Sequence, residues 1–176
     1  MSEEITFKQG TVEDVELAVK FRWLTFGGTG KEEAIEHIRR EVTRRYTEEY
    51  ENDRIVHFYA YNQEGEAIAC VGAILKDDFP YYLFKPGYYG WIIDVYTYPE
   101  YRGRKIATKL LELTHQWILS KGAYESKLIA GGPKPKELYE KNGYRLTWEL
   151  SKNLRPGEYT TYNEIIDKKG KITIDP

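Results

Sequence analysis

The stretch Gly90–Gly122, GWIIDVYTYPEYRGRKIATKLLELTHQWILSKG, does most to limit what this chain can fold into. Ile92 to Thr97 is a short apolar and β-branched run, and Pro99 ends it because proline has no N–H to give to a strand ladder. Beyond the turn Glu100-Tyr101-Arg102-Gly103, Ile106, Leu110, Leu113 and Trp117 recur at three- and four-residue spacing. With Ala107, Leu111 and Ile118 beside them they predict an amphipathic helix, which Gly122 stops. A strand that feeds a helix through a glycine-bearing turn aims free backbone N–H groups and the positive end of the helix dipole at one spot. Arg102, Arg104 and Lys105 add cationic side chains there. Together these features predict an anion site, most simply for a phosphate.

The rest of the chain supplies the elements around this unit. Ile5 and Phe7 alternate with polar neighbours in a short first strand. Thr11 is a plausible cap for a helix whose apolar residues Val12, Val15, Val19, Trp23 and Phe26 recur at three and four, until Gly27-Gly28 breaks it. Thr29 with Glu32 forms a capping box for a second helix with the stripe Ile35, Ile38, Val42 and Tyr46. Ile55–Tyr61 and Ala67–Leu75 flank the turn signal Asn62-Gln63-Glu64-Gly65 and predict a hairpin, with Cys70 as a small core residue. Phe79–Tyr89 is an aromatic, proline-rich loop entering the central strand. After Gly122 come a fifth strand, Ser126–Ala130, a short helix beginning at Pro135 and ended by Asn142-Gly143, and a closing strand, Tyr144–Leu150. The tail from Arg155 carries the segments for an added hairpin.

One hundred and seventy-six residues, 41% of them hydrophobic, are enough for one domain with a full core. Twenty-six basic against 28 acidic residues leave a formal charge of −2, which gives no bias toward nucleic acid or an anionic membrane. The single cysteine, Cys70, excludes an internal disulfide and points to a reducing compartment, and no apolar run approaches the length of a membrane span. The expected location is the cytoplasm. His37, His57 and His115 fall on different predicted elements without metal-ligand spacing, so no metal is expected. Gly28-Thr29-Gly30-Lys31 has the look of a nucleotide-binding loop, but Thr25 stands where its first glycine belongs and Glu32 where a hydroxyl would hold magnesium. A plain turn between helices is the better reading.

Arg102-Gly103-Arg104-Lys105-Ile106-Ala107 resembles the acetyl-CoA loop of the GNAT (GCN5-related N-acetyltransferase) superfamily, Arg/Gln-x-x-Gly-x-Gly/Ala. Lys105 replaces its first glycine; a residue in the first turn of a helix needs no positive φ. Farther on, Glu137-Leu138-Tyr139-Glu140-Lys141-Asn142-Gly143-Tyr144 is similar to the family's Leu-Tyr-Glu-x-x-Gly-Phe/Tyr segment. The resemblance implies an α/β (α+β) fold: a mixed, mostly antiparallel sheet of about six or seven strands, about four helices, and a V-shaped cleft between the fourth and fifth strands. It assigns residues 1–154 to this domain and leaves 155–176 as an extension.

It also implies transfer of an acetyl group from acetyl-CoA (coenzyme A) to the amine of a small molecule or peptide, by direct attack. An amine near pKa ~10.4 must lose a proton before it attacks, so a base or a water path is needed. The carbonyl needs donors as it becomes an oxyanion. By the resemblance, Val95, Tyr96 and Thr97 of the central strand contact the cofactor, with Arg102, Gly103, Arg104, Lys105, Ile106, Ala107 and Thr108 at the phosphates. Tyr139 stands where the family has an acid for the departing thiolate; a tyrosine hydroxyl near pKa ~10 suits a thiol near ~8.5. The competing role for Tyr139 is packing. Asp94 is a carboxylate in an apolar strand, where burial would raise its pKa toward that of a base; a structural aspartate tied to a backbone amide is the alternative. Gly132 stands where many relatives have a cofactor-contacting asparagine.

The acceptor is the least determined part. Phe26, Tyr81, Tyr82, Tyr88 and Tyr89 form either an aromatic pocket for an amine or ordinary packing. Besides the enzyme, two further classes fit: a non-catalytic acyl-CoA-binding sensor, and a protein–protein scaffold that keeps the fold alone. Neither nucleic acid nor a membrane is an expected partner, and a homodimer is compatible with the sequence.

Overall fold

In the computed structural model, residues 4–26, 32–80, 86–131 and 133–147 are described. The chain divides into two compact units, Met1–Leu128 and Ile129–Pro176. Among the described residues the first contains one sheet of five strands in the order β1-β2-β3-β4-β5: β1 (Thr6–Gln9), β2 (Ile55–Tyr61), β3 (Ala67–Asp77), β4 (Tyr88–Thr97) and β5 (Ser126–Lys127). The first four are antiparallel neighbours, and β5 runs parallel to β4. The sheet is thus mixed and mostly antiparallel, as expected. Tyr144–Leu150, expected to close it, is not strand over 144–147, and 148–150 lie outside the described residues.

The helices form where the sequence signals them. Thr11 caps a short 3-10 turn, Val12–Asp14, through a capping box: its backbone N–H donates to Asp14 Oδ2 at 2.8 Å, and its hydroxyl accepts from the Glu13 N–H. The chain then enters α1 (Val15–Phe26). The buried residues of α1 are Val15, Ala18, Val19 and Phe21, while Val12 and Phe26 are exposed. Val15 and Val19 of the predicted stripe thus face the core, while its two ends, Val12 and Phe26, do not. In α2 (Glu32–Glu51), Tyr46 is buried and Val42 packs on the core, but Ile38 is exposed, so the predicted stripe holds only toward the C-terminus. The Thr29 half of the predicted capping box lies outside the described residues.

Side-chain alternation places α1 and α2 on one face of the sheet. Ile55, Ile74 and Ile93 meet Val15, Val19 and Tyr46 there, while Phe21 packs with Tyr59 and Cys70. On the opposite face lies α3 (Ile106–Ser120), which buries Ile106, Leu110, Leu111, Thr114, Trp117 and Ile118. Ile118 sits so close to Gly90 that a Cβ there would overlap it. Cys70 is the core residue predicted, and burial, reinforced by the charge of Asp94, pushes its thiol pKa well up.

Two features of β4 position the site. Its register with β3 shifts between Cys70↔Tyr96 and Gly72↔Ile93, so Asp94 and Val95 together oppose Val71 in a β-bulge. On its other side, β4 pairs with β5 only through Gly90↔Ser126 and Trp91↔Lys127. From Ile92 to Thr97 that edge has no strand partner among the described residues, which is the splay expected between the fourth and fifth strands.

In the second unit, α4 (Pro133–Lys141) ends where predicted: the Asn142 and Tyr144 N–H groups donate to Leu138 and Tyr139 carbonyls. The helix starts at Pro133, two residues before the predicted Pro135. The proposed extension, 155–176, lies outside the described residues. No helix among the described residues is long and apolar enough to cross a membrane.

Candidate active site

The segment expected to bind an anion begins where β4 stops. Pro99 opens a 3-10 turn, Pro99–Tyr101, closed by the Tyr101 N–H on the Tyr98 carbonyl (2.9 Å) and the Arg102 N–H on the Pro99 carbonyl (3.2 Å). Gly103 follows with φ +78°, and nothing lies within 4 Å of where its Cβ would be, so the turn is open on that side. Lys105 is the N-cap of α3, at φ 59° and ψ 16°. This corrects the expectation that the residue replacing the motif glycine needs no positive φ. Lys105 lies one residue outside the helix, in the left-handed turn that aims the chain into it, where glycine is ordinarily favoured.

Arg102 folds back onto the strand end: its Nε donates to the Thr97 carbonyl at 2.9 Å, and its guanidinium lies 5.7 Å from the Tyr96 ring centre. Arg104 lies 5.4 Å from the Tyr101 ring. Arg102, Gly103, Arg104 and Lys105 are all exposed, at the start of a 15-residue helix whose first N–H groups have no carbonyl within the helix. An open glycine turn, three cations and a helix N-terminus suit a polyanion such as a pyrophosphate. Ile106, by contrast, is buried in the core, so any contact it makes with a ligand is through its backbone.

The bulge in β4 carries a second constellation. Asp94 is 1% exposed and adopts φ +53°, unusual for a residue other than glycine. Its carboxylate accepts from Arg22 Nη1 at 3.1 Å on Oδ1, and on Oδ2 from the Tyr46 hydroxyl at 2.5 Å and His57 Nε2 at 2.9 Å. Because a carboxylate only accepts, Nε2 carries the hydrogen. The Tyr50 hydroxyl completes the imidazole at Nδ1, 2.8 Å away. Burial, and then the charge of Asp94, push the Tyr46 pKa up against the opposing influence of Arg22, so Tyr46 stays a donor. The His57 ring lies over Gly72; a Cβ at residue 72 would come within 2.6 Å of it.

The structure therefore gives Asp94 side-chain partners from α1, α2 and β2 in place of a backbone amide. Three of the roughly four lone-pair positions of the carboxylate are thus engaged. Sequence reasoning found Asp94 and missed Arg22, Tyr46, His57 and Tyr50 as its company. The available signal was an arginine and a histidine at positions where α1 and β2 are otherwise apolar. No group of three or more His, Cys, Asp or Glu suited to a metal occurs among the described residues.

The expected aromatic pocket is only partly assembled. Phe26 is 60% exposed, and the Arg22 guanidinium lies 4.8 Å from its ring centre. Tyr89 packs its ring edgewise on Trp91 and receives the Lys127 ammonium at 4.3 Å. Tyr88 and Tyr89 belong to β4 and not to the loop before it, and they point to opposite faces. The Tyr88 hydroxyl donates to the Lys121 carbonyl at the end of α3, on the face away from Phe26, so these two residues do not share a pocket. Tyr81 and Tyr82 lie outside the described residues, as does Gly132. In the second unit, Tyr139 is 7% exposed, with its ring 5.8 Å from that of Tyr144 in an edge-on arrangement.

The family model for the acetyltransferase (GNAT) family matches residues 21–144. No curated protein sequence matches the chain. Among solved structures, a predicted acetyltransferase of Clostridium acetobutylicum, solved with acetyl-CoA, is 26% identical; the match covers 86% of this chain and 97% of that one, with a TM-score of 0.76. A GCN5-related N-acetyltransferase of Ralstonia eutropha is similar in fold at 18% identity, TM-score 0.74, over 86% and 99% of the two chains. An aminoglycoside N-acetyltransferase in complex with CoA shares the fold at 16% identity, TM-score 0.69, over 89% and 97%.

Proposed function

The chain belongs to the acetyltransferase (GNAT) family, and from that premise we propose that it moves an acetyl group from acetyl-CoA to the amine of a small molecule or peptide. The observation that carries this reading is the edge of β4, Ile92–Thr97, which has no strand partner among the described residues and runs into an open, cationic helix start at Gly103–Ile106. Acetyl-CoA, when bound, supplies the activated acetyl group. The residues around Gly103, Lys105 through its backbone, hold its phosphates, with Arg102 and Arg104 as counter-charges. Backbone groups of Val95, Tyr96 and Thr97 orient the donor and stabilise negative charge on the carbonyl oxygen.

Tyr139 is proposed as the acid: its hydroxyl holds the proton that leaves with the thiol. The support is its place in the Leu138-Tyr139-Glu140 motif. For Asp94, the three donors it already engages support a role in fixing the bulge that presents Val95. A cytoplasmic location remains part of the proposal, resting on the lone cysteine.

The test combines binding and turnover. Coenzyme A should raise the melting temperature in a concentration-dependent way, and Gly103→Val, which adds a β-branched side chain at positive φ, should abolish that gain. Acetyl-CoA with a panel of amines, amino acids, polyamines, aminoglycosides and peptides should then release free thiol. Tyr139→Phe should lower the single-turnover rate by about 10²- to 10⁴-fold with KM for acetyl-CoA nearly unchanged. Wild-type rates in that variant at every pH would make Tyr139 a packing residue. The replacement of the motif glycine by Lys105 favours one alternative, a non-catalytic acyl-CoA-binding module, which would be stabilised by coenzyme A yet release no thiol with any amine.

A further inference from the structure

Arg22 uses one corner of its guanidinium on the protein and leaves the rest. Nη1 makes both of its hydrogen bonds, to Asp94 Oδ1 at 3.1 Å and to the Tyr46 hydroxyl at 3.3 Å. Nε and Nη2 donate to nothing among the described residues. Those two nitrogens form the side-on edge of a guanidinium, the pair of parallel N–H groups that matches the two oxygens of a carboxylate. A third of the Arg22 side chain is exposed, whereas the Asp94 side chain is fully buried. The plane is fixed as well: Asp94 and Tyr46 hold one end, and the Phe26 ring covers a flat face at 4.8 Å.

An arginine that only neutralised Asp94 would use its paired edge on that carboxylate. Here the carboxylate is satisfied mainly by Tyr46 and His57, and the paired edge remains available on a preorganised group. Its partner Asp94 immediately precedes Val95–Thr97, the segment proposed to orient the acetyl donor. We infer that the Nε/Nη2 edge of Arg22 recognises a carboxylate on the acceptor, so that the preferred substrates are amines that also carry a carboxylate, such as amino acids or peptides presenting one near the amine. This rests on the acetyltransferase reading, and it narrows the acceptor to a chemical class.

Two measurements test it, one of them independent of turnover. In protein labelled with ¹⁵N-arginine, the Arg22 Nε–H resonance, identified by its loss in Arg22→Lys, should shift on titration with the N-acetyl derivatives of the common amino acids. It should not shift with the corresponding N-acetyl amino amides, which lack the charge. No shift with any carboxylate of the panel, or equal shifts with the amides, would overturn the inference whether or not the protein is an enzyme. In the thiol-release assay, amino acids should exceed their own carboxamides by at least tenfold in kcat/KM. Arg22→Lys, which keeps a positive charge but has no fork, should lose most of that preference through KM. Retention of stabilisation by coenzyme A in Arg22→Lys establishes that the variant is folded. A preference that survives in Arg22→Lys would also overturn the inference. Absence of thiol release with every amine alongside a carboxylate-specific Arg22 shift would instead overturn the acetyltransferase reading and leave the carboxylate site standing.

Discussion

Asp94 and Lys105 stand eleven positions apart on either side of the end of β4, and both hold a left-handed backbone, at φ 53° and 59°. Such a conformation costs about 1–2 kcal/mol in a residue with a Cβ. At Asp94 the cost is met by the side chain, which is buried and tied to α1, α2 and β2 through Arg22, Tyr46 and His57. At Lys105 the side chain is exposed and makes no capping hydrogen bond; the turn itself imposes the geometry, between the Arg102 N–H···Pro99 carbonyl bond and the start of α3. The same strain is therefore held by side-chain chemistry in one place and by chain connectivity in the other. Substitutions at the two sites should have unlike consequences.

The largest effect is expected from Asp94→Ala. It leaves the Arg22 charge and two buried donors without their acceptor, a loss typical of breaking a buried ion pair, about 3–5 kcal/mol. Urea unfolding with an unchanged m-value would report it, and a loss below about 1 kcal/mol would remove the basis of the comparison. Asp94→Asn should cost less, about 1–3 kcal/mol, because asparagine tolerates the left-handed region and keeps one acceptor oxygen while losing the charge. If the amide cost as much as alanine, charge and not hydrogen-bond geometry would be what holds the bulge.

The third effect lies in alkaline solution. Burial, foremost, raises the pKa values of Tyr46, Tyr50 and Tyr59 in the folded protein. Unfolded tyrosine titrates near pH ~10. Folding thus favours the protonated hydroxyls; their contribution is whole below about pH 10 and is lost as pH rises above it, at up to about 1.4 kcal/mol per pH unit for each group. Stability measured from pH 8 to 11 should fall along that course, and Tyr46→Phe should make the slope shallower. An unaltered slope in that variant would mean that the Tyr46 hydroxyl does not share in the alkaline loss.

The smallest effect is expected from Lys105→Gly. Relief of about 1–2 kcal/mol of backbone strain is offset by the greater freedom of glycine in the unfolded chain, about 0.5–1 kcal/mol, so the net change should stay within about 1 kcal/mol. Coenzyme A affinity should also stay within a few-fold if the lysine side chain points away from the phosphates. A large, salt-sensitive loss of affinity would place the ammonium on a phosphate instead.

These two sites also mark how far the sequence could be read. The strand, turn and helix around Pro99 and Gly122 were legible because their signals are local: a β-branched run, a proline that cannot donate, a 3.6-residue stripe, and a stop. The expectation of an anion site at the turn follows from them. The surroundings of Asp94 were not legible, because its partners lie 72, 48 and 37 residues away in the chain, and no local pattern brings them together. Arg22 follows the inward-facing Ala18 by one turn of α1, but nothing in the apolar pattern from Val12 to Phe26 points it to Asp94. At Tyr88 and Tyr89, proline and aromatic composition mask the alternation of a strand. The conformation of Lys105 hinged on where a helix begins, a boundary that sequence patterns locate only to within a residue or two.

The crowding at Gly72 has a consequence for how this protein can change. With Cβ only 2.6 Å from His57 Cδ2 and 3.0 Å from Ile93 Cγ1, even alanine at residue 72 would compete with the imidazole for one volume. The two positions are therefore epistatic. Gly72→Ala on its own should displace the ring and be poorly tolerated, while the same substitution following His57→Ala meets vacated space, so the double variant should be less impaired than the two single effects added together. A lineage can enlarge residue 72 only after it has given up the histidine, and the order of the two substitutions, rather than either residue alone, decides which path is open.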